Sequence, residues 1–357
     1  MSEPDTIELQ DRLEHYDYEL PKQLIAQSPL PTRDQARLLI VHRETSAISH
    51  AHVHDLPQLL NPGDLLVLND TRVIPAKLVG FRASTRGRWQ GLFLESDEHG
   101  VWRVLAKTRG KLQPGEKIVL QDRHGTEGLE LTAVARLRDG AWAVKPVSDR
   151  PWNELLESVG RVPLPQYIRE GNMVDDDRRQ YQTVYASKPG SVAAPTAGLH
   201  FTKSLLEQLI DVGARITRVT LHVGTGTFKP IAVDDIGQHQ MHSEWGSIDD
   251  KAIAAMREAR QVGGRVIAVG TTTTRLLETH ARHDPTLPWS GRTELFIRPP
   301  FEFKAIDGLL TNFHLPRSTL LVLARTFGGD ELIARAYRLA VEERYRFYSY
   351  GDAMIIL

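Results

Sequence analysis

Residues 76–81 read AKLVGF, and after them come WQGLFLE (89–95), VWRVLAK (101–107), EKIVLQ (116–121), LELTAVARL (129–137) and AWAVKPV (141–147). These are short β-type runs, and the breaks between them include Glu98-His99-Gly100, Pro114-Gly115, His124-Gly125 and Asp139-Gly140. Glycine and proline at such breaks supply turn geometry. Strand-like runs at roughly 8–12-residue spacing, with no helical stretch among them, predict a small antiparallel β-barrel or sandwich over residues 75–150.

The texture changes on both sides of that stretch. DLLVLN (64–69) reads as a strand. After residue 150, helix-like LLEQLIDVG leads into strand-like ARITRVTLHV, and KAIAAMREARQVGG leads into RVIAVG. TTTTRLLETH then turns helical, LLVLARTFGG and ELIARAYRLAVEE supply late helices, and GDAMIIL closes with a strand. Strands alternating with helices predict an α/β domain with a mainly parallel sheet. The expected organisation is a discontinuous α/β catalytic domain, 1–74 and 151–357, carrying the barrel of 75–150 as an insertion. The chain has no internal repeat and no low-complexity tract, and its first dozen residues read as loose.

A length of 357 residues suffices for two domains, and 41% hydrophobic residues suffice for their cores. The absence of cysteine excludes disulfides, thiolate zinc sites, iron–sulfur ligation and a cysteine nucleophile. The acidic N-terminal stretch lacks the apolar core of a signal peptide, and LLVL (65–68) is far too short to cross a bilayer. A soluble, cytoplasmic, monomeric protein with no membrane partner is expected. The net charge of −1 is unevenly spread: residues 72–117 hold ten Lys/Arg and four Asp/Glu, a balance of +6 that leaves −7 for the rest. Such a stretch suits a polyanionic partner or a merely solvated barrel surface.

Several segments combine glycines, small residues and hydroxyls next to strand ends. VIAVGTTTTRLLE (266–278) places threonines where a helix begins, and its first amides can bind an anion or simply be capped. TLHVGTGTFKPI (220–231) resembles a methyltransferase glycine loop, but Pro230 cannot sit inside a continuing helix, so the strand–loop–helix context is missing. SVAAPTAGLHFT (191–202) and LLTNFHLPRSTL (309–320) deliver His200, Asn312, Phe313 and His314. In α/β folds, ligand sites lie at strand carboxyl ends. HQMHSEW (239–245) brings together His239, His242 and Glu244, at a spacing that matches no compact metal site, so no metal is expected. His50, His52 and His54 share a strand face and read as solvent-facing.

As a set, these motifs resemble one family. DYELPKQLIAQ (17–27) with Arg33-Asp34, PGDLLVLNDTRVIPAKL (62–78), RQYQTVYA (179–186), SVAAPTAGLHFT, TLHVGTGTF, MHSE, GTTTTR, TELFI, LLTNFHLPRSTLL and YRFYSYGDAM (345–354) stand in the order of the S-adenosylmethionine:tRNA ribosyltransferase-isomerases. The match runs from about residue 15 onward. It departs from the family at Pro299-Pro300, where a Pro-Gly is usual, and in the second half of TTTTR.

The resemblance implies an α/β domain with an inserted β-barrel and an enzyme of queuosine biosynthesis. The ribosyl group of S-adenosylmethionine moves onto 7-aminomethyl-7-deazaguanine at the wobble position of GUN-anticodon tRNAs, is rearranged to an epoxycyclopentanediol, and adenine and methionine leave. S-adenosylmethionine is the co-substrate and no other cofactor is implied. The sulfonium acidifies the ribose 5′-hydrogens, a base must remove one, adenine leaves best when protonated or hydrogen-bonded, and the attacking amine must be neutral. Histidine and carboxylate groups serve these steps. The expected proton-transfer residues are His242 assisted by Glu244, with His314 and His200, while His222 and Asp352 stay open as further candidates. For the co-substrate the expected contacts are Asp70, Arg72, Thr196, Gly198, Gly224, Gly226, Thr271, Thr272, Arg275 and Asn312. Arg72 and Arg275 suit the methionine carboxylate, although Asp70 could instead pair with Arg72. Phe201, Phe228 and Phe313 could face the sulfonium or pack a core. tRNA is expected on the basic stretch, with Arg86, Arg88, Lys107 and Arg109 meeting phosphates. An RNA methyltransferase and a non-catalytic RNA-binding module are the competing readings.

Overall fold

Nine strands of one sheet gather the α/β parts of the chain. The computed structural model describes residues 8–224 and 231–357, and the chain divides into two units, 1–72 with 179–357 and 73–178. In order, the larger unit holds β1 (Arg37–His42), β2 (Ala47–His52), α1 (Leu56–Leu59) and β3 (Leu65–Asn69), and β4 (Thr71–Val73) follows. The smaller unit holds β5 (Lys77–Arg82), β6 (Arg88–Ser96), β7 (Trp102–Thr108), β8 (Lys117–Gln121), β9 (Glu127–Arg136), β10 (Trp142–Pro146) and α2 (Trp152–Val159), and α3 (Asp177–Gln180) ends it. The larger unit resumes with β11 (Lys188–Ser191), α4 (Lys203–Asp211), β12 (Arg215–Leu221), β13 (Glu244–Ile248), α5 (Asp250–Gln261), β14 (Val266–Val269) and α6 (Thr271–His280). It finishes with β15 (Trp289–Thr293), β16 (Gly308–Asn312), α7 (Thr319–Gly328), α8 (Asp330–Glu342) and β17 (Ala353–Ile356).

The sheet order is β15-β13-β12-β3-β14-β16-β17-β1-β2. Its centre, β12-β3-β14-β16, is parallel throughout. Antiparallel strands flank that centre: β13 and β15 on one side, β17 against β16 on the other. Strands covered on both faces read as continuous apolar runs, which is why LLVL and VIAV show no alternation. On one face, Phe201, Leu205 and Leu209 pack over Leu66, Leu68, Ile267 and Leu310. Threonine, aspartate and serine cap the helices as their side chains favour: Thr202 accepts from the Leu205 amide, Asp249 from Ala252, and Ser318 from Leu321.

Every residue of α6 is buried. Four β-branched threonines are poor helix formers, so tertiary burial holds this helix. Thr273, Thr274 and Thr279 return their hydroxyls to the carbonyls of Val269, Gly270 and Arg275, four residues back.

In the smaller unit, β10-β7-β6-β5-β8-β9 close into an antiparallel barrel, and all six runs quoted from 76–147 supply a strand. Closure leaves no strand edge unpaired. Trp89, Phe93, Trp102, Ile118 and Leu131 fill the interior, with Phe93 and Trp102 in edge-to-face contact at 5.2 Å. The unit continues past Val147 to Arg178. The reason is apolar: Trp152 stacks on Phe93 at 5.4 Å, and Leu155, Leu156 and Val159 of α2 are buried.

Residues 1–7, part of the stretch read as loose, lie outside the described residues. From Leu9 to Tyr16 the backbone makes 3₁₀ turns that bury Leu13 and Tyr16. The Pro299–Pro300 peptide is cis. No helix among the described residues is long and apolar enough to cross a membrane.

Candidate functional site

The four parallel strands end side by side, and their last residues are polar or lead directly into polar segments. Asn69, at the end of β3, is fully buried. Its Nδ2 donates to the Leu221 carbonyl at 2.9 Å, and its Oδ1 accepts from the amides of Leu221 at 3.0 Å and Thr71 at 3.2 Å. Its Nδ2 also lies 3.4 Å from Thr272 Oγ1 at the start of α6. Asn69 therefore ties the ends of β3 and β12 to the first turn of a buried helix.

Next to it, Asp70 accepts from Ser187 Oγ and Thr220 Oγ1, both at 2.7 Å. The pairing of Asp70 with Arg72 left open by the sequence is not found among the described residues: these two hydroxyls occupy the carboxylate, and Arg72 is exposed. Thr71 Oγ1 lies 2.8 Å from His222 Nδ1, and the His222 ring stacks on Trp245 at 5.1 Å. A Cβ at Gly190 would come within 2.7 Å of the same ring, so glycine is what admits it.

The small-residue segment 191–200 runs beside this group. Gly270, at φ 94°, turns β14 into α6, and Ala197 Cβ lies 3.6 Å from where a Gly270 side chain would start. A Cβ at Gly198 would stand 2.0 Å from Tyr185 Oη and 2.9 Å from Thr183 Cγ2. Thr196 is half-buried. His200 Nε2 and Asn312 Nδ2 are 3.1 Å apart, and Asn312 Nδ2 also donates to the Tyr348 carbonyl at 3.0 Å. Asn312 Oδ1, Tyr185 Oη and Thr183 Oγ1 are buried without a hydrogen-bond partner among the described residues. An unsatisfied buried polar atom costs about 1–3 kcal/mol, so these three along one segment are candidate partners for polar ligand atoms.

Burial lowers His200 to about 4, helped by the positive charges of Arg346 and Arg33, and lowers His314 to about 3. Both are neutral at pH 7, so neither rests as an imidazolium acid. His314 is also tied down, its ring to Thr311 Oγ1 at 2.8 Å and its amide to Tyr337 Oη at 2.9 Å. Burial lowers His222 as well, while Asp70 opposes the shift. Asp352, raised by burial, accepts from the amides of Arg37 and Arg346 and so serves the backbone.

Glu244 opens β13. Gly246 is strand residue too, with Leu276 Cδ1 only 2.7 Å from where its Cβ would be. Glu244 Oε2 accepts from Arg275 Nη1 at 2.5 Å and its Oε1 from the Gly224 amide at 2.9 Å. Arg275 Nε donates to the Leu295 carbonyl, while its buried Nη2 has no partner among the described residues. Thr271 and Thr272 are buried at the head of α6. His242 is exposed, two residues before β13; burial lowers His239, and the neighbouring His242 adds to that shift.

Phe201 belongs to the sheet core, and Phe313 packs edge-on or tilted against Tyr337, Tyr345 and Phe347 at 5.1–5.5 Å, so both are core residues. Gly226 and Phe228 lie outside the described residues. The group among the described residues whose ligand atoms approach within 4.8 Å of one another is His52, His54 and Asp55. His50 bonds Tyr345 Oη at 2.7 Å instead.

The sequence reading missed Asn69, Thr71, Thr183 and Tyr185 as site residues. A signal existed for the first two: they stand in NDTR, directly after a wholly apolar strand, where an α/β sheet presents polar groups to a ligand.

The family described as queuosine biosynthesis protein matches residues 13–356. An S-adenosylmethionine:tRNA ribosyltransferase-isomerase of Symbiobacterium thermophilum is 49% identical over 97% of this chain and all of its own length. One from Moorella thermoacetica is 47% identical, again over 97% of this chain and its own full length. The crystal structure of an S-adenosylmethionine tRNA ribosyltransferase from Thermotoga maritima matches with a TM-score of 0.56 and 37% identity, covering 96% of this chain and 100% of that one.

Proposed function

The chain belongs to the queuosine biosynthesis family, and we propose that the strand-end site described above is where it acts as an S-adenosylmethionine:tRNA ribosyltransferase-isomerase. The reaction moves and isomerises the ribosyl group of S-adenosylmethionine onto 7-aminomethyl-7-deazaguanine at the tRNA wobble position, forming epoxyqueuosine and releasing adenine and methionine. Its substrates are tRNA and S-adenosylmethionine, and its catalytic groups are side chains of this chain, without a metal or a second cofactor. It works as a cytoplasmic monomer.

The observation that carries the site assignment is the set of buried, unpartnered atoms Asn312 Oδ1, Tyr185 Oη and Thr183 Oγ1 along the small-residue segment. A nucleoside offers hydroxyls and ring nitrogens that meet such groups. Neutral His200 and Asn312 are placed to hydrogen-bond rather than ionise, which suits orientation of the co-substrate. Thr196, Gly198, Thr271, Thr272, Asp70 and Gly224 shape the same end of the sheet, with Gly226 continuing the 220–231 motif. Arg275 Nη2 and Arg72 are the donors for the methionine carboxylate. Proton transfer is assigned to His242, with Glu244 holding the neighbouring backbone at Gly224, and to half-buried His222. His314 supports the end of β16.

Incubating the enzyme with S-adenosylmethionine and an anticodon stem-loop bearing the precursor base, then identifying the released small molecules, tests this reading. Adenine and methionine are expected. Release of S-adenosylhomocysteine would make the protein a methyltransferase, and no release at all would make it a binding module.

A further inference from the structure

Five cations line one cavity of the barrel unit. Lys77 opens β5, Arg88 opens β6, Arg86 sits in the turn between them, Arg123 follows β8, and Arg161 follows α2. The cavity has a volume of about 500 Å³, and Asp175 is the one carboxylate among the residues that line it. That volume falls in the range of about 300–1,000 Å³ common to ligand pockets.

The charges are only partly cancelled locally. Arg86 pairs with Glu127 at 3.1 Å and lies over the Phe81 ring at 3.6 Å, and Arg123 is 3.9 Å from Asp175. The other three have no carboxylate partner among the described residues. Lys77 Nζ donates to the Gly171 carbonyl at 2.6 Å and Arg161 Nη2 to the Asp122 carbonyl at 2.9 Å. Carbonyls fix these cations in place and leave their charge intact. Arg161 Nε is buried and has no partner among the described residues. Burial and the adjacent Arg161 lower the Lys77 ammonium, the response of a cation held beside another cation.

We infer that this cavity is a phosphate-recognition site of the barrel, and that its ligand is the phosphodiester backbone of the tRNA substrate. The inference rests on the functional reading above for the identity of the substrate. Inner Lys77 and Arg161 are half-buried while Arg86, Arg88 and Arg123 are exposed, so one phosphate can enter between the inner pair while its neighbours along the backbone meet the rim. The site differs from the sequence-local basic stretch. Lys107 and Arg109 of that stretch do not line the cavity, while Arg123 and Arg161 come from outside it.

The test compares two double charge reversals in the full chain: Arg88→Glu with Arg123→Glu in the cavity, and Arg136→Glu with Arg138→Glu elsewhere on the barrel. Affinity for precursor tRNA is measured between 50 and 200 mM salt, with S-adenosylmethionine affinity and melting temperature as controls. The cavity variant should lose at least about tenfold in tRNA affinity, and its log-log salt slope should be shallower by about 2, at roughly 0.9 per phosphate contact. The outside variant should lose less than about threefold. Equal losses, or no loss in the cavity variant, overturn the assignment. If the reversal prevents folding, Lys77→Gln must show the same direction of change. Uridine 5′-monophosphate and inorganic phosphate are titrated in parallel. Cavity-dependent binding of either, with tRNA affinity untouched, would assign the site to a free phosphate and overturn the tRNA assignment. Wild-type release of adenine and methionine is scored separately, so a failed cavity and a failed functional reading give different results.

Discussion

Arg275 Nη1 donates to Glu244 Oε2 at 2.5 Å, and both side chains are almost wholly buried. This pair joins the second turn of α6 to the first residue of β13, and through Glu244 Oε1 it reaches the amide of Gly224. Removing one member leaves an uncompensated buried charge. Arg275→Met should therefore destabilise the fold by about 3–5 kcal/mol in denaturant unfolding, and Glu244→Gln by a similar order. The Arg275→Met, Glu244→Gln double variant should recover part of that loss. Additive losses would show that the two residues act independently.

His242 is exposed and its removal leaves no buried partner behind. His242→Ala should leave melting temperature and S-adenosylmethionine affinity nearly unchanged while slowing single-turnover transfer by a factor of about 10²–10⁴, the range for a lost acid–base group. A folded variant with a near-wild-type rate would move the assignment to His222, whose substitution is the next to make.

Two histidines make stability fall in acid. The folded pKa of His200 is about 4, below the ordinary 6.5, so between those values the unfolded chain binds a proton that the folded chain refuses. Stability therefore rises with pH across that window and is lost as pH falls from 6.5 towards 4. For His200 the full effect is on the order of 3 kcal/mol. His314, at about 3, adds a loss of the same sign. Denaturant midpoints at pH 7 and pH 4.5 should show the drop. His200→Asn should flatten the profile; an unchanged profile would show that His200 is not the buried neutral group.

Gly198 stands where a side chain would meet Tyr185 Oη at 2.0 Å. Gly198→Ala should cost about 1–3 kcal/mol by overpacking and sharply reduce S-adenosylmethionine affinity. Adding Tyr185→Phe removes the nearest obstructing atom and should recover part of the stability, Thr183 Cγ2 still standing at 2.9 Å, but not the affinity, because Tyr185 Oη is also assigned to the ligand. Recovery of both would reduce Tyr185 to a packing residue.

Exhaustive chelation should leave transfer activity unchanged in the folded enzyme. Zinc titration should be sensed at His52, His54 and Asp55, the residues whose ligand atoms converge. Loss of activity with EDTA, restored by a divalent ion, would return attention to His239, His242 and Glu244.

The barrel was legible run by run because its strands are short, largely alternate apolar and polar residues, and are joined to one another by glycine-bearing turns. The parallel centre was legible from LLVL and VIAV, whose unbroken apolar runs reflect cover on both faces. The stretch beyond residue 239 was harder to read. HQMHSEW shows no strand pattern of its own, yet Glu244 and Gly246 lie in β13, where Glu244 meets Arg275 and Gly246 packs against Leu276. Long-range partners of this kind leave no mark in local spacing. Tyr185 escaped for the same reason: its importance comes from Gly198, which is remote from it in pattern but adjacent in space. The histidines stand in motifs that can be read from the sequence, but their protonation depends on depth, and depth is a property of the whole sheet.

β3 lies between β12 and β14 in the parallel centre, although 150 positions separate Leu65 from its partner Arg215. The barrel, by contrast, closes among strands drawn from residues 77–146 alone. A growing or refolding chain therefore meets its two problems in a set order. The inserted unit has every neighbour it needs while LLVL is still waiting, its amides unpaired and its apolar faces open. Contacts between residues far apart in sequence form slowly, and exposed apolar strands associate with other molecules in the meantime. Residues 65–69 are therefore the stretch whose shielding is expected to raise the yield of folded chain more than assistance to the barrel would.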